Sequence, residues 1–187
     1  MRIFLAINPP DEVRRQVWDA AAPLRETTSA VGWVAEPKIH LTLKFIGPMP
    51  EAGLEPLAAA MRDIARTHAA PVVHLATVGA FPNFRRPRVI WMGIDQEPRL
   101  ELLHHDVEVA CERLGYELDG RPYRPHLTLG RVRQPLGVDE LKTLRMAAKR
   151  IRFSERFYAR SIDVMQSVAG PGGSTYSVRA SAPMRGG

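Results

Sequence analysis

An α+β fold of two similar lobes around a central cleft is what this sequence predicts, and three observations carry it. The tetrapeptide HLTL occurs twice, at His40–Leu43 and His126–Leu129, 86 residues apart. The same offset lays Arg2-Ile3-Phe4-Leu5 over Arg88-Val89-Ile90-Trp91, short apolar and β-branched runs that read as buried strands. Between and after these runs apolar residues recur at helical spacing, so each half reads strand, helix, strand, helix, strand.

Taken in order, a strand at the N-terminus leads into a helix over about Asp11–Arg25, with Val13, Val17, Leu24 and the Trp18 ring near one stripe. The first HLTL strand follows, then a helix over Gly53–His68 carrying Leu54, Leu57, Met61, Ile64 and Ala65, then a strand over Val72–Val78. In the second half, Arg88–Trp91 precedes a helix over Glu97–Leu114, with Leu100, Leu103, Val107, Ala110, Cys111 and Leu114 in helical register. Gly115 is its natural stop, because glycine enters the left-handed conformation that ends helices. After the second HLTL come a helix over Val138–Lys149 and strands near Ile151–Phe157, Ser161–Val168 and Tyr176–Ala180. The expectation is one domain over 1–187: two interlocked lobes from repeat units 2–79 and 88–168, with two mostly antiparallel sheets flanked by helices. Proline, glycine and arginine mark Pro82–Pro87 and Gly170–Ser174 as the mobile loops, and Arg85–Arg88 as a basic turn or a contact to a nucleic-acid backbone.

The chain has 187 residues, 45% apolar and 25% charged, which excludes disordered and collagen-like classes. No apolar run approaches the roughly 18 residues of a membrane-spanning helix. The opening MRIFLAINPP has no long apolar core or cleavage site of a secretory signal. A cytoplasmic protein without membrane association is therefore expected, and the single Cys111 reads as a small buried hydrophobe. A net charge of +6 suits a polyanionic partner.

Side chains alternate faces along a strand, and residues two apart stand about 6.6 Å from each other on one face. His40 and Thr42 therefore share a face while Ile39, Leu41 and Leu43 fill the other, and His126 and Thr128 do the same against Leu127 and Leu129. With 8 threonines in the chain, a Thr two places past a given His arises by chance roughly 4% of the time, so one such pair says little. Two identical copies after equivalent strand–helix units have no packing reason to keep both polar residues. Two imidazoles on converging strands supply a base to deprotonate an incoming oxygen and an acid to protonate a leaving one, the pair that in-line attack on phosphorus requires. Which histidine plays which part is open at this level. The threonine hydroxyls can hold phosphoryl oxygens. Two cations are candidates to assist: Lys44, on the face of His40 and Thr42 if the strand stays regular, and Arg131, of opposite parity to His126 and needing a bulge or strand end to reach the site. Phe45 is a candidate for stacking on a terminal base, though its parity is that of the core leucines. Tyr123 has a similar claim. No metal is expected: His104 and His105 diverge on their helix, and no carboxylate or cysteine stands at ligand spacing from His40 or His126. No cofactor-binding motif is present.

HLTLKFIG at His40–Gly47, RPRVIWMGI at Arg86–Ile94 and YRPHLTLGR at Tyr123–Arg131 resemble the 2H phosphoesterase superfamily. Within it they are most similar to the RNA 2′,3′-cyclic phosphodiesterase family, also called bacterial 2′-5′ RNA ligases. The resemblance runs from Arg2 to about Arg133. It implies a bilobal fold and metal-free hydrolysis of RNA 3′ ends bearing a 2′,3′-cyclic phosphate, such as those of tRNA fragments, to 2′-phosphomonoesters. It also implies His40 as proton donor to the leaving 3′ oxygen and His126 as proton acceptor. Minor 2′-5′ ligation is expected when an RNA 5′-hydroxyl replaces water. A monomer without an obligate protein partner is expected. The alternatives are another 2H activity, on small cyclic nucleotides or by 3′–5′ trimming, and a non-catalytic RNA-binding module.

Overall fold

Alternation makes Arg2–Ile7 a strand (β1) with two unlike faces. Ile3, Leu5 and Ile7 join the main core, while Phe4 and Ala6 cluster with Met165 on the opposite side. The computed structural model describes residues 1–186. After β1 come helices α1 (Asp11–Ala20) and α2 (Ala22–Arg25), strands β2 (Val31–Trp33) and β3 (Leu41–Pro48), helix α3 (Leu54–Thr67) and strand β4 (Val72–Phe81). Strand β5 (Val89–Ile94), helix α4 (Pro98–Arg113), strand β6 (His126–Val132), helix α5 (Val138–Arg150) and strands β7 (Ser154–Tyr158), β8 (Ser161–Val168) and β9 (Thr175–Pro183) complete the chain.

The α+β class is as the sequence predicts. The strands run in the order β7-β4-β5-β6-β3-β1-β8-β9, with β2 on β6, and every pairing between them is antiparallel. The two sheets are continuous: they meet where β3 and β6 share one pair, Leu41 with Leu127, both fully buried. One lobe holds β7, β4, β5, β6 and β2, with α2 and α5 beside it; the other holds β3, β1, β8 and β9 beneath α3 and α4.

Several bounds differ from expectation for local reasons. The first helix breaks at Ala21, because Pro23 has no N–H to continue the ladder. Strand β2 has only three residues and no alternating pattern long enough to read. Strand β4 runs three residues past Val78, after a bulge where Thr77 takes a φ of 62°. Helix α4 begins with the Glu97 carboxylate accepting from the Arg99 amide. It stops as expected: Gly115 (φ 89°) lets its own amide reach the Glu112 carbonyl and that of Tyr116 reach Cys111. Cys111 is buried, which pushes its thiol up to about 11. No helix among the described residues is long and apolar enough to cross a membrane.

Candidate active site

The Leu41–Leu127 pair brings the two HLTL segments side by side. In the antiparallel register it defines, Thr42 stands across from His126 and His40 across from Thr128. Each motif thus faces the polar residues of the other.

Both motif strands carry a bulge at the same place. Leu5 pairs with Lys44 but Ala6 pairs with Thr42, so Leu43 is an extra residue on β3. Ile90 pairs with Gly130 but Trp91 pairs with Thr128, so Leu129 is an extra residue on β6. Leu43 and Leu129 are the equivalent last leucines of the two motifs. A bulge turns the side chains after it to the other face, here Lys44 and Phe45 on β3, before a second register shift at Ile46, and Gly130 and Arg131 on β6. Ala6 pairs with Thr42 as Trp91 pairs with Thr128, so Ala6, not Leu5, is the counterpart of Trp91 and the equivalence of the first strands moves by one residue.

The bulges correct the cation and aromatic expectations. Lys44 does not face the cleft: it turns inward, 5% exposed, with Nζ donating to Glu108 Oε1 (3.0 Å), Glu108 Oε2 (2.8 Å) and the Glu117 carbonyl (2.7 Å). Phe45 leaves the core face and stands 68% exposed at the cleft wall. Arg131 gains the face of His126 and Thr128 and lines the cleft. Gly130, at the place equivalent to Lys44, must be small, because a Cβ there would lie 2.6 Å from the Val31 side chain. Tyr123 lies among the residues around the hollow of His126: its ring stacks on His104 (3.7 Å between centroids, 5°) and its hydroxyl donates to the Thr42 carbonyl (3.3 Å), which ties it to β3. Burial raises its pKa.

The two histidines are held alike. His40 Nδ1 lies 2.7 Å from the Lys38 carbonyl and His126 Nδ1 lies 2.7 Å from that of Arg124. A carbonyl only accepts, so Nδ1–H donates in both, and Nε2 is left for chemistry. His40 Nε2 lies 3.1 Å from Thr42 Oγ1. Each ring is braced edge-to-face by an aromatic: Tyr176 against His40 (5.4 Å, 89°) and Phe81 against His126 (5.0 Å, 82°). Burial lowers the pKa of both. For His40 the Lys38 carbonyl partly opposes this, while the charges of Arg131, His126 and Arg14 lower it further. For His126 the Arg124 carbonyl opposes burial and Arg131 adds to it.

His40, Thr42, Thr128, Arg131, Phe45 and Tyr176 line a cleft of about 540 Å³. His126 borders a second hollow, of about 410 Å³, with Phe81, Thr77 and Trp91. Sequence reasoning missed the ring braces Tyr176 and Phe81 and two further cleft cations, Arg2 and Lys38. Phe81 and Tyr176 lie on third and later strands, outside the HLTL repeat, so no periodicity marked them. Among the described residues no group of three or more His, Cys, Asp or Glu is placed to hold a metal ion.

A family model described as the 2′-5′ RNA ligase superfamily matches residues 9–170. The chain is 30% identical over 181 residues to the RNA 2′,3′-cyclic phosphodiesterase of Methanocaldococcus jannaschii, covering 95% of this chain and 98% of that one. It is 32% identical over 148 residues to the protein of that name from Geobacillus stearothermophilus, covering 78% of this chain but only 47% of the relative. The chain thus spans about half the length of that second relative. The solved structure of TT0787 of Thermus thermophilus superposes with a TM-score of 0.82 at 28% identity, covering 100% of this chain and 99% of that one. With the family match spanning most of its length, the chain belongs to the 2′-5′ RNA ligase superfamily.

Proposed function

We propose that this chain hydrolyses 2′,3′-cyclic phosphate ends of RNA to 2′-phosphomonoesters, with His40 and His126 as its acid–base pair. The observation that carries it is the twinned tether of the two imidazoles, each Nδ1 tied to the backbone carbonyl two residues before it, on motif segments that the Leu41–Leu127 pair sets side by side. The relatives named RNA 2′,3′-cyclic phosphodiesterase support the choice of substrate.

In this reading His126 Nε2 takes a proton from water as the oxygen attacks phosphorus. The bond to the 3′ oxygen breaks, and His40 Nε2–H protonates that leaving oxygen. Phosphate stays on the 2′ oxygen. The Thr42 and Thr128 hydroxyls and the Arg131 guanidinium hold the non-bridging oxygens as charge builds on them. Phe45, exposed at the wall, stacks on the terminal base. In the free protein both imidazoles favour the neutral form; the bound phosphate anion restores a proton to the acid. The pair needs no metal step. An RNA 5′-hydroxyl in place of water gives the reverse joining reaction as a minor activity, since water is in large excess.

The test is a short RNA ending in a 2′,3′-cyclic phosphate, incubated in excess chelator with wild type, His40→Ala and His126→Ala, with the product isomer identified. Wild type should yield the 2′-phosphomonoester, and each variant should lose about 100- to 10,000-fold in rate. A shortened RNA, loss of activity with chelator, or unchanged turnover in either variant rejects the proposal.

A further inference from the structure

Away from the cleft, the 82–87 loop and helix α5 enclose a groove with no counterpart in the chemistry above. It comprises a hollow of about 550 Å³ continuing into one of about 500 Å³, the two sharing Phe84, Arg85, Arg145 and Lys149. Helix α5 buries one face through Leu144 and Ala148. Its other face turns Val138, Leu141, Lys142, Arg145, Met146 and Lys149 to the groove, and Val138 is 83% and Met146 43% exposed. Those positions recur at helical spacing, so this is a second amphipathic face turned to solvent.

The charge on the rim has no internal use. Arg85, Lys142, Arg145 and Lys149 take part in none of the ion pairs among the described residues. The neighbouring carboxylate of Glu140 is turned away, accepting from the Thr28 hydroxyl and the Gly137 amide. Four unneutralised cations in one groove repel one another, and a polyanion relieves that repulsion. Lys142, Arg145 and Lys149 span about 10 Å of helix, enough to meet successive phosphates of one strand. Apolar side chains on the floor, Phe84 among them, suit bases rather than a purely ionic ligand. One wall of the groove, the 82–87 loop, leaves β4 directly after Phe81, whose ring stands 5.0 Å from that of His126.

We infer that this groove holds the RNA strand leading to the reacting end, with Arg85, Lys142, Arg145 and Lys149 on its phosphates. This rests on the substrate class proposed above, and the experiment separates the two. The variant replaces Arg85, Lys142, Arg145 and Lys149 together by alanine. It is compared with wild type on a 20-nucleotide RNA ending in a 2′,3′-cyclic phosphate and on a mononucleoside 2′,3′-cyclic phosphate. On the long RNA, kcat/KM should fall about 10- to 100-fold at moderate salt, and its log–log salt slope should lessen by about 3. The mononucleotide, too short to reach the groove, should be turned over equally by both proteins. Binding of the same RNA with an ordinary 3′-hydroxyl is measured alongside and should weaken by the same factor. Equal loss on both substrates, or unchanged affinity for the 3′-hydroxyl RNA, overturns the inference; so does a change in oligomeric state as the only effect. Should wild type open neither cyclic phosphate, the proposed activity fails, and the binding measurement still decides the groove.

Discussion

His40 and His126 are partly withdrawn from water, and that sets how the pair responds to pH. Burial is the largest cause of the lowered pKa in each, and the Arg131 charge pushes both the same way. In the productive enzyme one ring is protonated and the other neutral. In kcat/KM, which reports the free enzyme, the acidic limb is protonation of the base and the alkaline limb is loss of the acid's proton. Since both groups titrate below the ordinary 6.5, the bell should centre on the acidic side of that value. In kcat the bound phosphate anion holds the acid's proton more tightly, so the alkaline limb should move to higher pH. Arg131→Ala removes a charge that lowers both rings, so it should slow the reaction and carry the alkaline limb of kcat/KM upward as well. Rates on a mononucleoside cyclic phosphate, measured across about pH 4 to 9, check this. A kcat/KM bell centred above 6.5 would show that the acid is not one of these two rings in its unliganded state.

At the scale of the element, the motif strands show what alternation can and cannot reveal. It placed His40 with Thr42 and His126 with Thr128, because each pair lies before its bulge. It misplaced Lys44 and Phe45, because a bulge is a backbone event that no residue type at Leu43 announces, and it left Arg131 conditional on the bulge that occurs at Leu129. The inward turn gives Lys44 a different task. Its ammonium and the Glu108 carboxylate hold the 115–125 segment through the Glu117 carbonyl and the Asp119 amide (3.0 Å). That segment includes the Arg124 carbonyl that tethers His126. A buried pair like this is costly to break from one side, because the remaining charge stays unpaired. Lys44→Met should therefore destabilise the protein by about 3–5 kcal/mol in urea unfolding, and Lys44→Met with Glu108→Leu by clearly less. Equal or additive losses would mean that the pair is not coupled.

For the whole molecule, the repeat was legible because an 86-residue offset is written in the residues, whereas the partner of each third strand was not. Strand β4 follows the first motif yet pairs with β5, and β8 follows the second motif yet pairs with β1. Helix α3 likewise lies against β8 and β9, and α5 against β4. Alternating patterns report which face of a strand is buried and carry no address for its neighbour, so an exchange of equivalent strands leaves the pattern unchanged. The consequence is energetic. Alone, each repeat unit keeps only a two-stranded pair, β1 with β3 in 2–79 and β5 with β6 in 88–168, and the sheet of each lobe is completed by chain from the other half. We propose on this ground that 1–187 folds as one cooperative unit. Trp33 and Trp91 both lie in the lobe of β4–β6, so with the third tryptophan removed by Trp18→Phe the fluorescence follows that lobe, while far-UV circular dichroism follows the whole chain. In urea the two signals should give one coincident transition with the same midpoint and slope. The Leu41–Leu127 contact joins the lobes, and Leu127→Ala, which opens a cavity there at a cost of about 2–5 kcal/mol, should lower both midpoints together. A fluorescence midpoint that moved while the dichroism split into two steps would mean that the lobes are separate domains despite the exchanged strands.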